Sequence, residues 1–120
     1  MPSEVIIIPE CDKQIKQLKK KYPLITNEIR DLLDILEADE RPGDLIPNIG
    51  ADVYKVRLAN KSAQRGKSGG FRAIYYVQLV NRVYIINVYS KTEQSDISPQ
   101  QIREILADLL ADSDEDYSSD

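Results

Sequence analysis

Near its start the chain carries Val5-Ile-Ile-Ile8, an apolar, β-branched run closed by Pro9, which reads as a buried strand over residues 4–9. Asp12 stands where a helix cap would, and Ile15 and Leu18 fall on one face of a helix over 13–21 whose five lysines face solvent and which Pro23 ends. A second helix starts at Thr26, Asn27 and Glu28, because Ile25, Ile29, Leu32, Leu33, Ile35 and Leu36 recur at helical spacing. Residues 38–52, with two prolines, two glycines and no periodicity, read as a connecting loop.

Three strands follow, over 53–59, 70–79 and 82–89, the last two joined so tightly at Val80-Asn81 that they form a hairpin. Between the first two lies a Gly-, Ser-, Lys- and Arg-rich loop, residues 60–69. Ser98 and Pro99 open a last helix whose apolar face is Ile102, Ile105, Leu106, Leu109 and Leu110, ending near Asp112. Residues 112–120 hold too little apolar content to pack and read as a disordered acidic tail beyond a single domain at 1–111. The order is β-α-α-β-β-β-α. It predicts an α+β fold, a mainly antiparallel sheet with helices packed on one face.

A chain of 120 residues holds one domain of this kind and has no room for a second. No apolar run approaches the roughly 20 residues a membrane helix needs. The single cysteine, Cys11, has no internal disulfide partner, and no secretory leader pattern precedes the first strand, so the cytoplasm is the expected compartment.

The net charge of -4 would argue against a polyanionic partner if charge were evenly spread. It is not. From Val53 to Thr92 there is no Asp or Glu, while Lys55, Arg57, Lys61, Arg65, Lys67, Arg72, Arg82 and Lys91 stand in that stretch. Period-2 alternation puts Lys55 and Arg57 on one face of their strand, Arg72 on the face opposite Phe71, Ala73, Tyr75 and Val77, and Asn87, Tyr89 and Lys91 together. Arg57, Arg72, Tyr89 and Lys91, with Lys61, Arg65 and Lys67 from the loop, are expected to meet on one concave patch. Cations there would give charge-assisted hydrogen bonds to phosphates of RNA, with Tyr89 beside them. Tyr75, Tyr76 and Tyr84 read as packing residues.

The chain has no histidine, which removes Ser-His-Asp triads and Cys-His nucleophiles, and zinc sites built on histidine and cysteine. Gly66-Lys-Ser resembles the end of a P-loop, but no glycine stands at the required upstream spacing and a strand, not a helix, follows. The basic stretch also lacks carboxylates, Glu93 and Asp96 lying just beyond it, so any hydrolysis there is expected to proceed without metal or cofactor.

The strings Tyr54-Lys-Val-Arg57, Arg65-Gly-Lys-Ser-Gly-Gly-Phe-Arg72-Ala-Ile-Tyr-Tyr76 and Val83-Tyr-Ile-Ile-Asn-Val-Tyr-Ser-Lys91 resemble the RelE/ParE toxin superfamily, in particular its RelE/HigB-like branch. The resemblance spans nearly the whole chain up to the acidic tail. It implies a RelE-like fold and a bacterial toxin of a type II toxin-antitoxin system that cleaves mRNA, commonly on the ribosome, and is neutralised by a cognate antitoxin. It further implies Arg57, Lys67, Arg72 and Lys91 as catalytic residues, with Lys55, Lys61, Arg65 and Tyr89 contacting RNA. The implied reaction is attack of a ribose 2′-hydroxyl on the adjacent phosphate, with Lys67 or Lys91 moving protons. Some members use a histidine or tyrosine near the C-terminus; here that region is acidic, and Tyr117 falls in the tail. Two other readings keep the fold: a ParE-like toxin acting on gyrase, and a noncatalytic RNA-binding module.

Overall fold

The computed structural model describes the chain except Met1, Arg65, Lys67, Ser68, Val80, Ser119 and Asp120, and gives backbone alone for residues 112–118. Its elements run β1 (Glu4–Ile7), α1 (Pro9–Lys21), α2 (Ile25–Glu37), β2 (Asp44–Leu45), β3 (Val53–Leu58), a 3-10 turn (Lys61–Ala63), β4 (Phe71–Leu79), β5 (Arg82–Ser90) and α3 (Pro99–Ser118). The α+β class holds, with helices packed against one five-stranded sheet of order β1-β5-β4-β3-β2. Only the β1–β5 pair is parallel.

Three boundaries differ from expectation for physical reasons. α1 begins at Pro9, not after Asp12. Proline's missing N–H costs nothing in a first turn and its fixed φ suits one, so Pro9 ends the strand by opening the helix. The segment read as a loop over 38–52 holds β2, whose Asp44 and Leu45 pair with Lys55 and Tyr54. Gly43 makes that approach possible: its φ is +89°, and a Cβ there would sit 2.3 Å from the Lys55 carbonyl oxygen. Finally, the backbone of α3 continues to Ser118, past Asp112.

The expected packing on one face describes α1 and α2. Tyr22, in the turn between them, sets its ring edge-on to Phe71 with centroids 5.5 Å apart, on the side of β4 that also carries Ala73 and Tyr75. Ile25, Ile29, Leu32 and Leu36 of α2 and Cys11 and Ile15 of α1 are buried in this core. Tyr75, Tyr76 and Tyr84 are packing residues as expected; Tyr75 stacks on Tyr54 at 5.1 Å and Tyr76 on Tyr84 at 6.2 Å. On the other face of the sheet the connection into α3 crosses the strands, where Asp96 reaches both Lys55 and Tyr89 and Ile97 is buried.

A register shift in the β4–β5 ladder sets β5's side chains. Tyr75 pairs with Ile85 but Ile74 with Asn87, leaving Ile86 as an extra residue. Val83 and Ile85 therefore share the α1–α2 face before the bulge, and Asn87 and Tyr89 share the opposite face after it.

Candidate functional site

The basic face is built by cross-strand neighbours. Arg57 on β3 lies directly opposite Arg72 on β4, and Arg72 opposite Tyr89 on β5. Adjacent strands are about 4.8 Å apart, so this row puts two guanidinium groups and a phenol within reach of one small anion. Lys55 is two residues from Arg57 on the same face, and Lys91 follows the end of β5 with its N–H donating to the Gly70 carbonyl at 2.9 Å. Gly70, just before β4, lets the backbone approach the end of β3, since a Cβ there would lie 2.0 Å from the Leu58 carbonyl oxygen.

Together these residues line an open cavity of about 750 Å³, floored by Arg57, Arg72 and Tyr89 and walled by Lys55, Lys91, Gly43 and Asp44. Of the residues expected to meet on one patch, Arg57, Arg72, Tyr89 and Lys91 line this cavity together, and Lys55 joins them. Arg72 is buried, with one guanidinium nitrogen donating to the Phe71 carbonyl at 3.1 Å, whereas Arg57 is exposed. Like charges placed directly opposite each other on neighbouring strands repel, and Arg57 against Arg72 is such a pair.

Lys61 lies elsewhere. Its ammonium is 3.3 Å from Glu28 of α2, in a neighbouring groove that shares Arg57 and Pro42 with the basic cavity. Glu28, itself buried, also accepts the Ala59 N–H at 3.2 Å, Asn60 caps the 3-10 turn, and Ser62 accepts the Leu24 N–H. α2 thereby holds the root of the glycine-rich loop. The expected site residues Arg65 and Lys67, farther along that loop, lie outside the described residues.

Tyr89 is 5% exposed, so its ring face is covered and its hydroxyl is what reaches outward, to Asp96 at 3.2 Å. Burial pushes the Tyr89 phenol up to about 12, with the Asp96 charge and hydrogen bond adding to the effect and Arg72 opposing it. It is a neutral donor across the physiological range.

Two acids that sequence reasoning left outside the basic surface belong to it. Asp44 arrives on β2, and Asp96 on the connection after β5. One Asp96 oxygen accepts from Lys55 Nζ at 3.0 Å, from the Tyr89 hydroxyl at 3.2 Å and from the Ile97 N–H at 2.8 Å. The Lys55 hydrogen bond first, then the Ile97 N–H, the charge of Lys55 and the Tyr89 hydroxyl, hold its carboxyl below the usual aspartate range against the opposing effect of burial. The signal was present as Asp96 immediately before Ile97, an apolar residue in a polar run that had to be buried somewhere. Cys11 contributes no chemistry: it is fully buried, and burial raises its thiol to about 12.

This small α+β protein thus sets arginines from two strands, a lysine just past a third and a buried tyrosine around one open cationic basin. The chain matches the family described as the RelE toxin of the RelE / RelB toxin-antitoxin system over residues 12–117, and it belongs to that family. RelE toxins pair with an antitoxin. No helix among the described residues is long and apolar enough to cross a membrane.

Proposed function

We propose that this RelE-family toxin is a metal-independent endoribonuclease that cuts mRNA, on the ribosome, within the basic cavity. The observation that carries this reading is the row Arg57, Arg72, Tyr89 with Lys91 beside it, four groups able to surround one phosphodiester. In the reaction the 2′-oxygen forms a bond to phosphorus as the bond from phosphorus to the 5′-oxygen breaks. The 2′-hydroxyl loses a proton and the leaving 5′-oxygen gains one. A 2′,3′-cyclic phosphate and a 5′-hydroxyl result.

Arg57 and Arg72 hold the phosphate and stabilise charge building on its oxygens; a well-placed donor at such a position is worth about 2.7–4 kcal/mol. Tyr89, kept neutral, can donate but not accept the proton. Lys91, and Lys67 from the loop, are the proton carriers, while Lys55, Lys61 and Arg65 engage neighbouring phosphates. The toxin domain is residues 1–111, and the acidic 112–120 segment a solubilising extension whose removal leaves cutting unchanged. The cognate partner is an antitoxin whose acidic or amphipathic segment covers the basin.

The test is incubation of purified protein with ribosomes and mRNA, with and without EDTA, followed by mapping of product ends. Cyclic-phosphate termini, and protection of a site whose 2′-hydroxyl is replaced by hydrogen, are expected. Binding without products would instead mark an RNA-binding module, and gyrase-dependent DNA breaks a ParE-like toxin.

A further inference from the structure

Asp96 is placed where a bound phosphate would draw Lys55. Its one triply hydrogen-bonded oxygen takes Lys55, Tyr89 and its own following N–H, and the connection carrying it is itself pinned. Gln94 Nε2 donates to the Asp96 carbonyl at 2.8 Å, and Lys91 Nζ to the Ser95 carbonyl at 2.6 Å. Buried Ile97 fixes the far end. Among the described residues, two of the four cations that line the cavity, Lys55 and Lys91, are thus occupied by the segment between β5 and α3.

We propose that Asp96 is an internal stand-in for a substrate phosphate on Lys55, so that this carboxylate sets how many cations of the basin are open to a nucleic-acid backbone. The proposal rests on the reading of the cavity as a phosphate site. A flexible lysine can release a carboxylate in favour of an incoming phosphate, but only by giving up a contact it already has. Lys55 therefore adds little net affinity in the native protein, which favours release of a cut strand over tight storage. Arg57 and Arg72, on the cavity floor, carry the binding. Asp44, facing Lys55 across the β2–β3 ladder, is exposed, and no ion pair joins the two among the described residues.

The probe is a short fluorescein-labelled oligodeoxythymidylate, which has phosphates but no 2′-hydroxyl and so is bound without being cut. Its affinity is read by anisotropy across a salt series for the native protein, Asp96→Asn, Asp96→Ser, Lys55→Gln and the Asp96→Asn/Lys55→Gln double variant. Freeing one lysine for a single-strand phosphate should steepen the log–log salt slope by about 0.7 and tighten binding at low salt. Serine keeps an acceptor for the Ile97 N–H, so it reports the charge even if the asparagine variant folds poorly. Lys55→Gln should cost more in the Asp96→Asn background than in the native one. Slopes unchanged or shallower in both Asp96 variants, or a full 0.7 loss from Lys55→Gln in the native protein, overturn the proposal. Absence of binding by every form overturns it together with the phosphate-site reading. The expected binding pattern with no RNA cleavage sinks the nuclease reading and leaves this one standing.

Discussion

Arg57 and Arg72 are directly opposed across the β3–β4 ladder, two cations held side by side with no acid between them in either strand. The proposed phosphate site gives this repulsive pair a use. Replacing Arg57 by threonine should raise unfolding free energy by about 0.2–1 kcal/mol while lowering RNA cleavage by about 100-fold or more. Urea denaturation and a cleavage assay on one preparation check both signs. A variant destabilised and fully active would contradict the assignment.

Glu28 should matter beyond its own helix, because its carboxylate holds both Ala59 and Lys61. Glu28→Ala leaves the Ala59 N–H without its partner, at a cost of about 1–3 kcal/mol. Hydrogen exchange should rise at Ala59 and the 3-10 turn ahead of the sheet; uniform protection throughout would show that α2 does not hold this loop.

Stability should fall at both pH extremes, for opposite reasons. The phenols of Tyr75, Tyr76 and Tyr89 are all raised, chiefly by burial, so their stabilising effect is complete below pH 10 and fades as pH climbs toward 12. Asp96 is lowered, chiefly by Lys55, so its effect is complete above its ordinary 3.8 and disappears as pH drops through the folded value. Thermal melts from pH 2 to 12 test the window, and Tyr89→Phe should flatten part of the alkaline limb. Activity should show no ionisation of Tyr89 near neutrality.

Cys11 should resist modification. Fully buried and with its thiol raised to about 12, it should react with an aromatic disulfide reagent only as fast as the protein unfolds. Rapid labelling in native buffer would mean that α1 opens locally.

Gly43→Ala should be costly for a residue so near the surface. A positive φ costs about 1–2 kcal/mol for an L side chain, and the added carbon meets the β3 backbone. Circular dichroism and denaturation would register the loss, with cleavage falling further if β2 swings away from the basin.

Much of this architecture was readable from the chain because burial imposes a period. The alternation in 53–58 and 71–77 correctly separated Lys55, Arg57 and Arg72 from Val56, Ala73 and Tyr75. Tyr89 and Lys91 could be grouped with them because the bulge at Ile86 precedes both. β2 escaped notice because two exposed residues have no period; Gly43 decides its pairing through backbone approach. The start of α1 was missed because Pro9 serves two elements at once. Asp96 was passed over because proximity along the chain was used as a measure of charge neighbourhood, and the fold returns the next acidic segment to the surface the strands had cleared. Tyr89 was expected to contact RNA, but packing conceals its ring and leaves the hydroxyl, which Asp96 holds.

The pairing of β1 with β5 carries a temporal consequence. Glu4 meets Arg82 and Ile7 meets Ile85, so β1 has no partner until β5 has left the ribosome, and Lys91 is later still. A chain under synthesis therefore carries scattered positive charge without a basin to gather it until β5 and Lys91 have followed β3 and β4.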